Sequence, residues 1–256
     1  MTTELYFPNC QNPLVKLHTP FSKKLTIFVV QMISLPENKL SVDFLDAYSA
    51  ALDYIDNIYN NLEDSRKNIG GCLITTSTGK FFSNGVDLEN SIGNSTFEKI
   101  LPLFLARLLS FRLPTIAAVN GHAFGGGSVL ALAHDYVIMG NQRGYICMNE
   151  ILLGVSINSC FFETLRTRFS SPLVLNKFVL QAHRFTGDQA LKAGFIDQAV
   201  PNNKVLKSAY KLAKSLSPLV LNRGITYGLT KTEKNKTAIT SLLEKKAWMG
   251  STHSKL

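Results

Sequence analysis

Residues 121–127, GHAFGGG, constrain this chain more than any other segment. Three consecutive glycines run straight into an apolar stretch, residues 128–133. Backbone without side chains can lie close against a ligand and point bare amide hydrogens at it. A helix beginning there aims its positive end at the same spot. An acidic residue, Glu150, follows in MNEILLG. Such a pairing suits a reaction in which a carboxylate removes a proton and amides hold the resulting negative oxygen. Taken alone, the glycines fit equally well with a helix start packed tightly on a sheet.

The 256 residues, 45% of them hydrophobic, suffice for one large core or two small ones. No apolar run reaches the ~18 residues that span a bilayer. The start, MTTELYFPNC, lacks the basic cluster and apolar core of a secretory signal. Cys10, Cys72, Cys147 and Cys160 show no metal-ligand spacing, and a chain of this size needs no disulfide staples. They read as free thiols, with Cys147 a weaker candidate nucleophile because no histidine stands at a telling distance from it. The net charge of +9 favours anionic partners, either nucleic acid or a phosphate-rich small molecule. The charge is dispersed, with short clusters at Lys23-Lys24 and Lys245-Lys246, and mostly reads as a solvated surface. Ser254, Lys255 and Leu256 spell a peroxisomal import address, at the end of the polar stretch GSTHSKL.

Strands and helices alternate through the first ~200 residues. Residues 25–33 form a β-rich apolar run. Ser41 reads as an N-cap, followed by Phe44, Leu45, Tyr48, Leu52, Ile55 and either Ile58 or Tyr59 at helical spacing. Residues 72–76 and 115–119 are short buried strands, 97–110 a helix, 125–134 another, and 136–139 and 145–148 further strands. Beyond Gly154 helices are expected over residues 161–169, 172–180, 187–193, 204–216 and 237–249, with one strand within 194–200. The class is α/β with a helical C-terminal region, divided at residue 200.

LITTSTGKFFSNGVDL, PTIAAVNGHAFGGGSVLALAHDYVIM and RGYICMNEILLG follow one another in the order and spacing of the crotonase (enoyl-CoA hydratase/isomerase) superfamily. The resemblance covers roughly residues 14–200, fades in the C-terminal helices, and is greatest to peroxisomal Δ3,Δ2-enoyl-CoA isomerases of plant type. It implies a spiral of ββα units over residues 1–200, then a helical trimerisation region and targeting tail over 201–256, assembled as a homotrimer or hexamer. It implies an acyl-CoA substrate, with coenzyme A part of that substrate and no other cofactor or metal. It also implies an import receptor as partner, fatty acid β-oxidation in the peroxisomal matrix as setting, and neither nucleic acid nor a membrane span.

Residue by residue, the resemblance makes the amides of Val86 and Gly126 the two donors to the thioester oxygen, and Glu150 the base. Asn84, Gly85, Asp87 and Leu88 complete the substrate-binding set. Apolar neighbours in sequence, Ile146, Met148, Ile151 and Leu152, suggest that burial raises the pKa of Glu150. Hydratases of this superfamily carry a second glutamate where this chain has Val129. Water addition needs two acids, whereas a double-bond shift needs one, so the expected reaction is 3-enoyl-CoA to 2-trans-enoyl-CoA. Lys80 is a candidate contact for the phosphates or adenine of CoA. Phe81 and Phe82 line the acyl slot or pack in the core. Asp87 orients its loop or starts a helix, His122 shapes the glycine loop, and His134 and Asp135 are structural. The alternatives are a 2-enoyl-CoA hydratase, a dienoyl-CoA isomerase using Asp87 or Glu163, a thioesterase, or a non-catalytic acyl-CoA- or RNA-binding relative.

Overall fold

The structure is a computed structural model that describes residues 3–19, 26–91 and 93–244. The Lys23-Lys24 and Lys245-Lys246 clusters, the end of the expected helix 237–249, and Ser254, Lys255 and Leu256 lie outside the described residues. The chain opens with a hairpin absent from the sequence expectation, β1 (Thr3–Phe7) and β2 (Val15–Thr19), paired antiparallel. β3 (Ile27–Met32) and the 19-residue α1 (Val42–Asn60) follow, and the Ser41 side chain caps α1 by accepting from the Phe44 amide at 3.2 Å.

Three turns of one pattern come next. β4 (Cys72–Ser77) and β5 (Phe81–Ser83) lead into α2 (Leu88–Ser91) and α3 (Ser95–Ser110). β6 (Thr115–Val119) and β7 (His122–Phe124) lead into α4 (Gly126–Leu132). β8 (Tyr136–Gly140) and β9 (Ile146–Cys147) lead into α5 (Ser159–Arg166). Each turn gives its first strand to a large sheet and its second to a small one. The large sheet runs β1-β2-β3-β4-β6-β8-β10 and the small one β5-β7-β9, all parallel. This is the ββα spiral that the resemblance implied.

α6 (Pro172–Val179), α7 (Gly187–Lys192), β10 (Gln198–Val200), α8 (Val205–Leu216), α9 (Ile225–Lys234) and α10 (Lys236–Leu243) complete the chain. α4 is shorter than expected, and α9 was not foreseen.

The two-residue period of the strands explains how the large sheet is covered. Ile27, Val29, Cys72, Ile74, Ile116, Ala118 and Ile138 point to one face and pack with Val205, Ala209 and Ala213 of α8. Phe28, Val30, Leu73, Ala117, Val119 and Val137 point to the other and join the main core with α1, α3 and α4. The central strands β4 and β6 are accordingly buried at every position.

The last two helices are tied to the spiral. α10 packs on α3 and α5. From α9, the buried Lys231 ammonium donates to Asp135 Oδ2 at 2.7 Å and to the carbonyls of Leu108 and Leu113. Asp135 Oδ2 also accepts from the Thr115 amide and hydroxyl. Asp135 thus sits in a structural junction, and His134 is buried in the core beside it, with Nε2 on the Thr75 hydroxyl.

Candidate active site

The parallel strands of the small sheet end together, so the loops that follow them meet at one cavity. After β5 come Asn84, Gly85 and Val86. After β7 come Gly125 and Gly126. After β9 come Asn149 and Glu150. All seven line the cavity, with Leu88, Leu153, Val155, Ser156, Ile157, Asn158 and Phe161 closing it.

Residues 84–87 are held in place amide by amide. Asn84 N–H donates to the Glu37 carbonyl at 2.9 Å, Gly85 N–H to the Ser83 hydroxyl at 3.2 Å, and Asp87 N–H to the Leu40 carbonyl at 3.0 Å. Only Val86 N–H, of these four, has no partner among the described residues. Its direction follows from the parallel bridge between Leu40 and Val86. That bridge uses the Gly85 carbonyl and the Asp87 amide, which leaves the amide of Val86 turned the other way. The Gly126 amide opens α4 and so has no carbonyl one turn earlier to bond. The two loops touch, since a Cβ placed on Gly85 would lie 3.1 Å from the Gly126 nitrogen.

The three glycines do different work. Gly125 has φ +53°, and a Cβ there would lie 2.7 Å from Glu150 Oε1, so its bareness seats the carboxylate. A Cβ on Gly126 would lie 3.0 Å from the Val86 side chain and 3.4 Å from the Phe161 ring, both on the cavity wall. A Cβ on Gly127 would lie 2.2 Å from the Ser83 carbonyl oxygen. The packing reading of the glycines therefore holds for Gly127, while Gly125 and Gly126 open onto the cavity.

Glu150 begins a 3-10 turn, Glu150–Leu153, closed by Gly154 at φ +68°. That left-handed closure gives the Glu-to-Gly spacing a physical cause. The residue as a whole is half-buried, but its Oε2 is sealed from solvent without a hydrogen-bond partner. Burial pushes its carboxyl up to about 7, opposed by backbone hydrogen bonding at Glu150 and Asn149. The burial does not come from all the neighbours expected from sequence: Ile146 and Met148 are fully buried, but the other two turn outward. Ile151 and Leu152 are 47% and 69% exposed. It comes from the glycine loop and from the cavity wall that Phe161 of α5 helps to build, with α10 packed behind that helix.

The remaining candidates divide between the cavity wall and other surroundings. Leu88 and Asn84 line the cavity, and the Asn84 amide group donates to Glu37 Oε1 at 2.8 Å. Asp87 does not line it. Its carboxylate accepts from Asn90 Nδ2 at the start of α2. Phe82 is fully buried in the core, and Phe81 packs on His122 and Phe124. Val129 is fully buried in α4 and does not line the cavity. Glu163 pairs with Arg166 outside the lining. Cys147 is buried, and burial pushes its thiol up to about 12, which leaves it inert as a nucleophile. Among the described residues, Glu150 is thus the only carboxylate on the cavity wall. Sequence reasoning missed Asn149, Ser156 and Asn158, the polar residues of that wall. Asn158 had one local signal, since its side chain caps α5 by accepting from the Phe161 amide at 2.8 Å.

A ββα spiral with unpartnered amides facing a buried carboxylate defines a protein class, and the sequence match agrees: residues 26–248 match the enoyl-CoA hydratase/isomerase family, to which the chain belongs. It is 31% identical over 199 residues to the peroxisomal enoyl-CoA delta isomerase 1 of Arabidopsis thaliana, covering 76% of this chain and 80% of the relative. It is also 34% identical over 159 residues to the 2,3-dehydroadipyl-CoA hydratase of Escherichia coli, covering 60% and 61%. The fold matches that of the human mitochondrial delta3-delta2-enoyl-CoA isomerase with a TM-score of 0.74 at 24% identity, over 91% of this chain and 87% of that one. The chain is an enzyme of the crotonase fold, and both isomerases and hydratases stand among its relatives.

Proposed function

We propose that the protein isomerises 3-enoyl-CoA to 2-trans-enoyl-CoA. One observation carries this reading: among the described residues a single carboxylate, Glu150, lines a cavity that also holds the amides of Val86 and Gly126, neither with a partner there. Glu150 takes a proton from the α carbon of the 3-enoyl thioester. The electron pair left behind spreads into the double bond and onto the thioester oxygen, where Val86 N–H and Gly126 N–H hold the charge. Glu150 then returns the same proton to the γ carbon, and the double bond closes between the α and β carbons. No co-reactant is consumed, and coenzyme A is carried as part of the substrate.

The raised pKa of Glu150 suits the task, because a base that ionises near neutral pH can both take and give a proton. Hydration would need a second acid to orient water. The position where hydratases of this superfamily hold that acid is Val129, sealed in the core. Names of the Arabidopsis relatives support placing the reaction in peroxisomes, and the family resemblance supports fatty acid β-oxidation as its setting and a homotrimer or hexamer as its assembly.

Purified protein offered 3-enoyl-, 2-enoyl- and dienoyl-CoA separately tests the reading. It predicts turnover of the first and little of the others. Hydration of 2-enoyl-CoA at the faster rate would replace it with the hydratase reading.

A further inference from the structure

The three short strands of the small sheet separate two cavities. The one at their carboxyl ends holds Glu150. The other lies at their amino ends, where Lys80 precedes β5, His122 opens β7 and Arg143-Gly144 precede β9. It has a volume of about 550 Å³, within the range of small-molecule sites. Its wall is made of Lys80, His122 and Arg143 with the glycines Gly79, Gly121 and Gly144, and no carboxylate among the described residues lines it.

Its chemistry is one-sided. The Tyr145 amide donates to His122 Nδ1 at 3.2 Å, which makes that nitrogen the acceptor and leaves the imidazole proton on Nε2. His122 therefore adds an N–H donor to an ammonium and a guanidinium. The charged groups that act on His122 are Lys80 and Arg184, both cations, and Arg184 lies over the Phe124 ring on the same strand. Neither Lys80 nor Arg143 forms an ion pair among the described residues. Donors and positive charge on one cavity wall, without a counter-ion among the described residues, suit a phosphate group. A second cavity of about 450 Å³ shares Arg143 and is lined by the amides of Asn120, Gln142, Asn202 and Asn203, which gives a phosphate-anchored ligand polar surface along which to extend.

We propose that Lys80, His122 and Arg143 bind a phosphate-bearing ligand at the amino ends of the small sheet. The phosphates are those of the substrate's CoA or those of a separate molecule. Isothermal titration with inorganic pyrophosphate tests the site on the whole protein without turnover, so its outcome is independent of the isomerase reading. Binding should weaken roughly 10- to 100-fold in the Lys80→Ala/Arg143→Ala double variant. Both side chains are exposed, so the melting temperature should hold. Pyrophosphate that fails to bind at millimolar concentration, or binds both proteins alike, overturns the proposal.

Kinetics then separate the two sources. If CoA supplies the phosphates, the double variant raises KM for enoyl-CoA but not for enoyl-pantetheine, and pyrophosphate competes with enoyl-CoA. If the ligand is separate, KM is unchanged and pyrophosphate still binds at saturating enoyl-CoA.

Discussion

Glu150 and Asp135 are both carboxylates withdrawn from water, and the protein treats them in opposite ways. Asp135 is tied down through one oxygen: the Thr115 amide, the Thr115 hydroxyl and the Lys231 ammonium all donate to its Oδ2. Glu150 is left with an oxygen that bonds nothing. A buried charge paired with a buried cation is a strut, and breaking the pair removes support from what it ties together. A buried carboxylate with an open oxygen bears its desolvation cost unrelieved, binds protons more tightly, and has a lone pair free for a substrate. The contrast separates a folding residue from a chemical one without reference to any relative.

The comparison can be broken most sharply at Glu150. Glu150→Gln keeps the shape but not the basicity, and should lower kcat for 3-enoyl-CoA about 10²–10⁴-fold with a normal circular dichroism spectrum. Lys231→Ala attacks the other carboxylate. It leaves Asp135 buried without its cation and should destabilise the fold by about 3–5 kcal/mol in denaturant unfolding, while activity per folded molecule stays near wild type. Gly125→Ala probes the seat of the base. The new Cβ would stand 2.7 Å from Glu150 Oε1, at a φ of +53° that disfavours a side chain. A displacement of about 1 Å should reduce kcat on the order of 10²-fold, with a smaller effect on KM.

The smallest effect concerns stability. The folded-state pKa of Glu150 is raised from 4.5 to about 7, so ionising it opposes folding. The proton it binds favours the folded state at low pH, and that contribution is lost as pH rises through about 7. Glu150→Gln should therefore be more stable than wild type at pH 8, by about 1–2 kcal/mol once the half-exposed state of the residue is allowed for, and not at pH 4.

The parts of the fold legible in the sequence were those with a strong local signal. Ser41 and the apolar spacing after it marked α1, and the unbroken apolar runs at β4 and β6 marked strands buried on both faces. α9 escaped for a physical reason. Its buried positions are Gly228 and Lys231, so it shows no apolar stripe, and what holds it is an ion pair to a residue 96 positions away. β5, β7 and β9 have two or three residues each, too few to reveal a period.

The glycine run and Glu150 were visible because bareness and charge are written in residue identity. That Val86 has the one unpartnered amide of its loop was not, since this depends on Leu40 occupying its neighbours. The polar wall at Asn149, Ser156 and Asn158 lies in one irregular segment between β9 and α5 with no period to reveal it, and the cationic cavity at Lys80, His122 and Arg143 exists only once distant turns of the spiral are stacked.

The central claim is that Glu150 is the lone base and ionises near neutrality in the free enzyme. The pH dependence of kcat/KM for 3-enoyl-CoA isomerisation tests it most directly. The account predicts a rise of tenfold per pH unit at acidic pH, bending to a plateau at about 7. A profile that is flat from pH 5 to 9, or that falls through neutrality as pH rises, would contradict it.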